Sequence, residues 1–499
     1  MLRIRSAVDA RSALLLAFMT GLGVLLALLI ERLGPLAVVI ILALLVSVFV
    51  LPTSLSQAIT RFRDLRKRLT WWHMLWLIVF LSGFQFRDRN VQDITATAVD
   101  SGASYRIALM LITAGGLGVS LAFRKIPRLG PWFRGVLGLL LTYALVSAAS
   151  TLWSVYPAWT LYKSFEYLID VVLLAVILAG ARSAASYKTL LDWTWTLSGL
   201  LVALVWLGAV IWPREALEPS PGLISFQLSG IMPQVAANGV GELGALMSLV
   251  ALSRLLLRGV RNSGRGFYSL LLVVSLTTMI AAQTRSAIMG FLVGLVLLLY
   301  FSKRAGTVFV LVVAIALLAS AFNIGGLTEE YLRRGQSDDM VENLSGRMDW
   351  WDATWVEVMK RPWLGAGAYT SRFTVLAKMG EKEASSVHNT YLETIVGTGI
   401  IGLIPLLAAI LGAWKILLGA VRRQWCTSSE RQLAVEVLAV LGMITCRSFF
   451  SGSIVLHPDL VSLAVLGYAA RLQHVRKAVE VSLRGNENAP VPQSFGVIA

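Results

Sequence analysis

Four histidines occur in the sequence, and one of them has polar company. His388 lies in SSVHNTYLETIVGTGIIGL, with Asn389 beside it and Glu393 near one helical turn further on. An imidazole of ordinary pKa, about 6.5, is mostly neutral at pH 7 and can accept a proton from a hydroxyl. His388 is therefore the candidate acid-base group, against the plainer alternative of a structural hydrogen bonder. His457, followed by Pro458, is a weaker candidate. Arg285, in AAQTRSAIMGFLVGL, opens an apolar run. A guanidinium there can grip a phosphate bidentately at a membrane surface, or merely snorkel to the boundary. Arg447, in ITCRSFFSGS, invites the same argument.

Other chemistries lack their residues. The sequence has no His-Glu-x-x-His, no Asp-x-Asp and only two cysteines, Cys426 and Cys446, outside any metal-ligand spacing. It also has no Walker loop, no Gly-x-Ser-x-Gly and no dinucleotide fingerprint. Neither a metal nor an organic cofactor is expected, so the driving energy must reside in an activated substrate. If that substrate carries a diphosphate, arginines can stabilise the leaving group as a divalent metal does elsewhere.

The elements that must position these residues follow from composition. Of 499 residues, 57% are apolar or aromatic and 14% charged, with mean hydropathy +0.72. That describes an integral membrane protein, and the absence of a two-residue alternation makes it all-α and polytopic rather than a barrel. Apolar runs place spans near 12–30, 34–51, 70–86, 106–123, 135–152, 164–180, 191–212, 236–253, 267–283, 286–302, 306–322, 394–414, 433–450 and 454–470, so about 12–14 helices. The pair 267–283 and 286–302 is separated by Gln283-Thr284-Arg285-Ser286. The first span has no small-residue cleavage site at its end and reads as an anchor.

The net charge of +16 would suggest nucleic acid in a soluble protein. Here the basic residues concentrate in alternate loops, so they report topology: both termini cytoplasmic, the long loop 323–393 periplasmic, and membrane lipids rather than nucleic acid as surroundings. Glu166, Asp170, Glu242, Arg285, Glu393 and Arg447 then all fall toward the outer ends of their spans. His73 and His474 fall at cytoplasmic ends. A coupled transporter would instead be expected to carry carboxylates or histidines near mid-depth and paired broken helices, and neither is evident.

From Ala321 to Val387 the outer loop carries ten acids and eight bases. Within it, SGRMDWWDATWVEVMKRPWLGAG reads as a helix entered through Ser345 and ended by Pro362, with Trp351, Trp355, Val358 and Met359 on one face. Such a helix can lie at the interface as a lid or collar, or its tryptophans can simply anchor the loop to headgroups. The chain divides into N-terminal transmembrane helices (1–226), a catalytic membrane region (227–470) that includes the loop, and a cytoplasmic tail (471–499) expected to be disordered.

Over about 227–405 these residues resemble the O-antigen ligase and polymerase superfamily of bacterial glycan-assembly enzymes. The resemblance rests on LSGIMPQVAANGVGELGAL, QTRSAIMGFLVGL, SGRMDWWDATWVEVMKRPWLGAGAYTSRF and HNTYLETIVGTGIIGLIPL. It implies transfer of a glycan from a polyprenyl-diphosphate carrier to an acceptor hydroxyl at the outer face of the inner membrane, with inversion and without a metal. It also implies that Arg285, Arg347 and Arg447 hold the diphosphate and that His388 activates the acceptor, with Asn389, Glu393 and Asn238 in support. Ligases of the family carry a further outer arginine near the Gly-and-Asn segment, where this chain has Gln227 ahead of Gly230. Arg214, Lys163 and Arg447 are the candidates to replace it. The leading expectation is a polymerase of carrier-linked repeat units making exopolysaccharide or O-antigen, with chain-length regulator and flippase proteins as partners. The alternatives are a ligase acting on a lipid core or protein, and a solute transporter.

Overall fold

The computed structural model describes residues 55–85, 100–123, 129–181, 183–257, 264–302, 324–381, 386–422, 426–452, 454–456 and 459–485. Helix dominates them, because helix closes every backbone hydrogen bond within the segment that enters lipid. The main helices are α1 (Trp71–Ser82), α2 (Ser101–Phe123), α3 (Val136–Ala149), α4 (Pro157–Gly180), α5 (Ala184–Ile211), α6 (Ala237–Leu256), α7 (Arg265–Ala281), α8 (Arg285–Phe301), α9 (Ile324–Arg333), α10 (Arg347–Lys360), α11 (Thr390–Arg422), α12 (Ser428–Arg447) and α13 (Leu460–Gly485). Among the described residues, five stretches are long and apolar enough to cross a membrane: α2, α3 with its extension to Trp153, α5, α6 and α11; α1, α7 and α8 are shorter apolar helices. The protein is an all-α polytopic membrane protein.

Several boundaries differ from those the sequence suggests. α4 begins at Pro157 rather than near 164, since proline is well suited to a first helical turn. α13 continues to Gly485, so residues 471–485 are helical where a tail was expected. The spans placed near 12–30, 34–51 and 306–322, and His457, lie outside the described residues.

Small residues bring key helices close. A Cβ on Gly244 of α6 would lie 2.5 Å from the Met279 amide nitrogen of α7, and one on Gly294 of α8 would lie 2.8 Å from the Ala439 carbonyl of α12. Such close approach replaces the hydrophobic drive that lipid does not supply between helices. The core that results includes Leu137, Tyr143, Leu174, Val440 and Leu466. Two short antiparallel hairpins precede α6: β1 (Leu217–Pro219) pairs with β2 (Phe226–Leu228), and β3 (Gly230–Ile231) with β4 (Gln234–Val235).

The 324–381 segment is fastened to the bundle through a break in α11. Gly399 has φ +64° and ψ −165°, outside the helical region. The break exposes backbone groups on both sides, and the segment after α10 satisfies them: Ala366 and Gly367 donate to the carbonyls of Val396 and Gly397 (2.8 Å each), while Ile400 and Ile401 donate to those of Pro362 and Trp363 (2.9 and 3.4 Å). Buried backbone groups must find partners, so break and docking stand or fall together. A Cβ on Gly399 would lie 2.1 Å from the Trp363 carbonyl oxygen. The Gly399→Ala protein should therefore insert yet lose at least about 2 kcal/mol of docking, read as faster proteolysis between residues 345 and 381; an unchanged cleavage rate would show that this exchange does not hold the segment.

Candidate functional site

Arg285 is positioned by the break between α7 and α8. Gln283, with φ +50°, donates to the carbonyls of Ile224 (3.1 Å) and Phe226 (2.5 Å), and Thr284 Oγ1 donates to Ala237 O at 3.1 Å. Arg285 thus starts α8 and points toward the 324–381 segment, where it donates to Gln336 Oε1 and to Ser345 Oγ (3.1 Å). Ser345 was expected to cap α10. That role falls to Gly346, whose φ of +83° turns the chain into the helix, and the serine hydroxyl serves Arg285 instead.

Arg347 opens α10 and donates to the Phe450 carbonyl at 3.1 Å, just beyond the end of α12. Arg447, the last residue of α12, is 1% exposed, ion-paired with Glu242 at 2.7 Å, and directed at the Asn238 carbonyl at 3.4 Å. A fourth guanidinium joins them. Arg334, following α9, donates to Gln283 O (3.3 Å) and Gln227 Oε1 (3.2 Å). Burial lowers the Arg347 pKa, and the charges of Arg447, Arg285 and Arg334 lower it further, which puts each of the three within electrostatic reach of Arg347. Among the described residues no carboxylate pairs with Arg285, Arg334 or Arg347. Their partners are neutral oxygens, so the positive charge remains available to an anion.

His388 sits beside this cluster. Its backbone is left-handed, φ +52°, and its ring stacks on Trp350 of α10 at 5.9 Å. The loop is held on several sides. Trp351 Nε1 donates to Val387 O at 3.0 Å, and the Thr390 amide donates to Ser448 O at 2.8 Å. Asn389 Oδ1 accepts from the amides of Tyr391 and Leu392 (3.0 and 3.1 Å), capping α11. Glu393 accepts from Ser371 Oγ at 2.5 Å. Both side chains therefore tie down the segment that carries the ring. Burial first, then the charges of Arg347 and Arg447, hold the His388 pKa at about 4. The imidazole is neutral at physiological pH.

The tryptophan face is divided. Val358 is 3% exposed against α11, but Trp355 and Met359 are 52% and 64% exposed, because Trp350, Thr354 and Val358 make the docking side. Lys163 does not join the arginine cluster: with Arg106 it pairs Glu166 (2.7 and 3.4 Å). Arg214 is exposed on a short turn. Hydropathy and motif spacing both pass over Arg334; the only signal for it is the Arg333-Arg334-Gly335 doublet inside an acidic stretch. Among the described residues no three His, Cys, Asp or Glu side chains gather as a metal would need.

One consequence is open to titration. Because burial and then two guanidiniums depress His388, its resonances in isotope-labelled protein should titrate near pH 4, and Arg347→Gln should move the midpoint upward; an unmoved midpoint in Arg347→Gln would remove the electrostatic link.

No curated protein matches the chain. Residues 270–407, however, match the family model described as O-Antigen ligase. That stretch contains Arg285, Arg334, Arg347, His388, Asn389 and Glu393, while Asn238 and Arg447, joined by a hydrogen bond, lie outside it. Over that stretch, rather more than a quarter of its length, the chain is similar to the O-antigen ligase family.

Proposed function

We propose that the protein is an inner-membrane glycosyltransferase that polymerises polyprenyl-diphosphate-linked repeat units at the periplasmic face, with both termini cytoplasmic. The observation that carries this reading is a neutral histidine beside guanidiniums that have neutral partners only. A diphosphate is the leaving group that such a cluster suits, and a hydroxyl is the nucleophile that such a histidine suits. Arg285 and Arg347 hold the donor diphosphate, with Arg447 adding its field from behind. His388 takes the proton as the acceptor oxygen bonds to the anomeric carbon. The bond from that carbon to the diphosphate oxygen breaks at the same time, its electron pair staying on the diphosphate. Displacement from the opposite face inverts the anomeric centre.

A second reading, transfer of a finished glycan to a lipid core or protein, is favoured by the description of the matched family model. The two differ in acceptor. Incubating the protein in nanodiscs with carrier-linked oligosaccharide alone, and with a chelator present, should yield a ladder of longer carrier-linked glycans. Products that arise only after a lipid-core or protein acceptor is added would establish the ligase, and no glycosidic product with any acceptor would favour a transporter. In the productive assay, His388→Ala should abolish the ladder. Arg285→Lys, which keeps charge but loses the bidentate fork, should lose about tenfold or more in rate; a full rate in either variant would remove that residue from the mechanism.

A further inference from the structure

Residues 324–346 are attached to the bundle in a way the rest of the segment is not. None of their described side chains is buried, and none belongs to an apolar core cluster, whereas residues 347–381 contribute Val358, Val375 and Leu376. Polar contacts hold them down instead. Tyr331 Oη donates to Ile280 O at 3.0 Å, Arg334 donates to Gln283 O and Gln227 Oε1, and Gln336 and Ser345 accept from Arg285. A piece of chain docked without apolar burial belongs to the low-stability end of a fold and opens readily.

Apart from the tyrosine, those contacts run through two arginines of like charge. Arg285 belongs to the bundle and Arg334 to the docked piece, and the two guanidiniums lie within electrostatic reach of each other. Arg334 also has left-handed backbone, φ +54°, uncommon for a long side chain, and is followed by Gly335 at φ +68° packed on Pro221. Its Nε is buried with no hydrogen-bond partner. The turn therefore aims a guanidinium, with one donor spare, into a site that already repels it. An anion between the two arginines converts that repulsion into a bridge.

We propose that residues 324–346 form a lid that closes over the carrier diphosphate, and that Arg334 is the lid's own ligand to it. This rests on the reading of the arginine cluster as a diphosphate site. Donor binding and lid closure become one event, since the anion that Arg285 and Arg347 hold is also what fastens Arg334. Closure excludes water from the leaving group before the acceptor hydroxyl attacks.

The test uses full-length protein in nanodiscs with farnesyl diphosphate as probe, following binding by titration and amide exchange over 324–346. In the unaltered protein and in Arg333→Gln, a change at the half-exposed neighbour that pairs with Glu329 and Asp338, the probe should slow exchange across this stretch. Arg334→Gln should bind about tenfold more weakly and lose that protection. Exchange in 347–381 should stay unchanged in Arg334→Gln, which reports an intact fold. Arg334→Lys, as a gentler variant, should show partial protection. Unaltered affinity and protection in Arg334→Gln or Arg334→Lys would overturn the lid ligand while leaving the diphosphate site standing. Failure of the unaltered protein to bind the probe, or full binding by Arg285→Gln, would instead overturn the diphosphate site, and the lid with it.

Discussion

The site depends on a backbone exchange inside the apolar bundle. Where α11 breaks at Gly399, the carbonyls of Val396 and Gly397 and the amides of Ile400 and Ile401 lose their helical partners and take those of residues 362–367 instead. An unmet amide or carbonyl in apolar surroundings costs about 2–7 kcal/mol, so the exchange cannot be given up piecemeal. It fixes α10 at its C-terminal end. With α10 fixed, Trp350 lies under His388, Trp351 holds Val387 and Arg347 reaches Phe450. A flexible loop would place none of these within the tolerance that catalysis by positioning requires. Docking by main chain leaves α10 free to expose Trp355 and Met359, a surface suited to the apolar edge of a bilayer.

Charge gives this frame its chemistry. Arginines that hydrogen-bond only to carbonyl, amide and hydroxyl oxygens keep their positive charge undischarged, at the cost of mutual repulsion. The same field acts on His388, where Arg347 and Arg447 add to burial in disfavouring the imidazolium. Two requirements of the proposed reaction, a base that is unprotonated and a leaving group that is stabilised, are thus met by one set of side chains. They are also coupled. A bound diphosphate offsets the positive field, so the imidazole becomes more basic when the donor is in place, which is when a proton has to be taken.

Much of this was legible in sequence, for identifiable reasons. Gln283-Thr284-Arg285-Ser286 announces a break because polar residues interrupt an apolar run, and the structure places Arg285 at the start of α8 as that pattern implies. His388 drew notice from its polar neighbours, and the structure seats it beside Trp350. The break in α11 was not: hydropathy records side chains, and the run through GTGIIGLIPL is apolar whether or not its backbone is helical. Arg334 was hidden for another reason. The expected place for a further arginine was near Gln227 in sequence, but the guanidinium that Gln227 meets comes from a residue 107 positions away. Distance along the chain carries no information about which loop side chain returns to a given glutamine. The Ser345 cap failed because the hydroxyl had a stronger claim on it, the charged donor of Arg285.

Arg447 differs from the other members of the cationic cluster in having a carboxylate partner. It is almost fully buried, paired with Glu242, and Gly290 leaves room for its stem, since a Cβ there would lie 3.1 Å from Arg447 Cγ. A buried ion pair is a costly way to gain stability and a good way to fix geometry. What it fixes is the end of α12, and the residues immediately after it are where the site is assembled: Ser448 O receives the Thr390 amide, Phe450 O receives Arg347, and Ser451 O receives the Thr390 hydroxyl. Loss of the pair would leave Glu242 without its guanidinium partner beneath this segment and release both the histidine loop and α10 from their common support. The geometry fits Arg447 as a positioning residue whose charge reaches His388 through space, while Arg285, Arg347 and Arg334 offer the donors that an anion can touch.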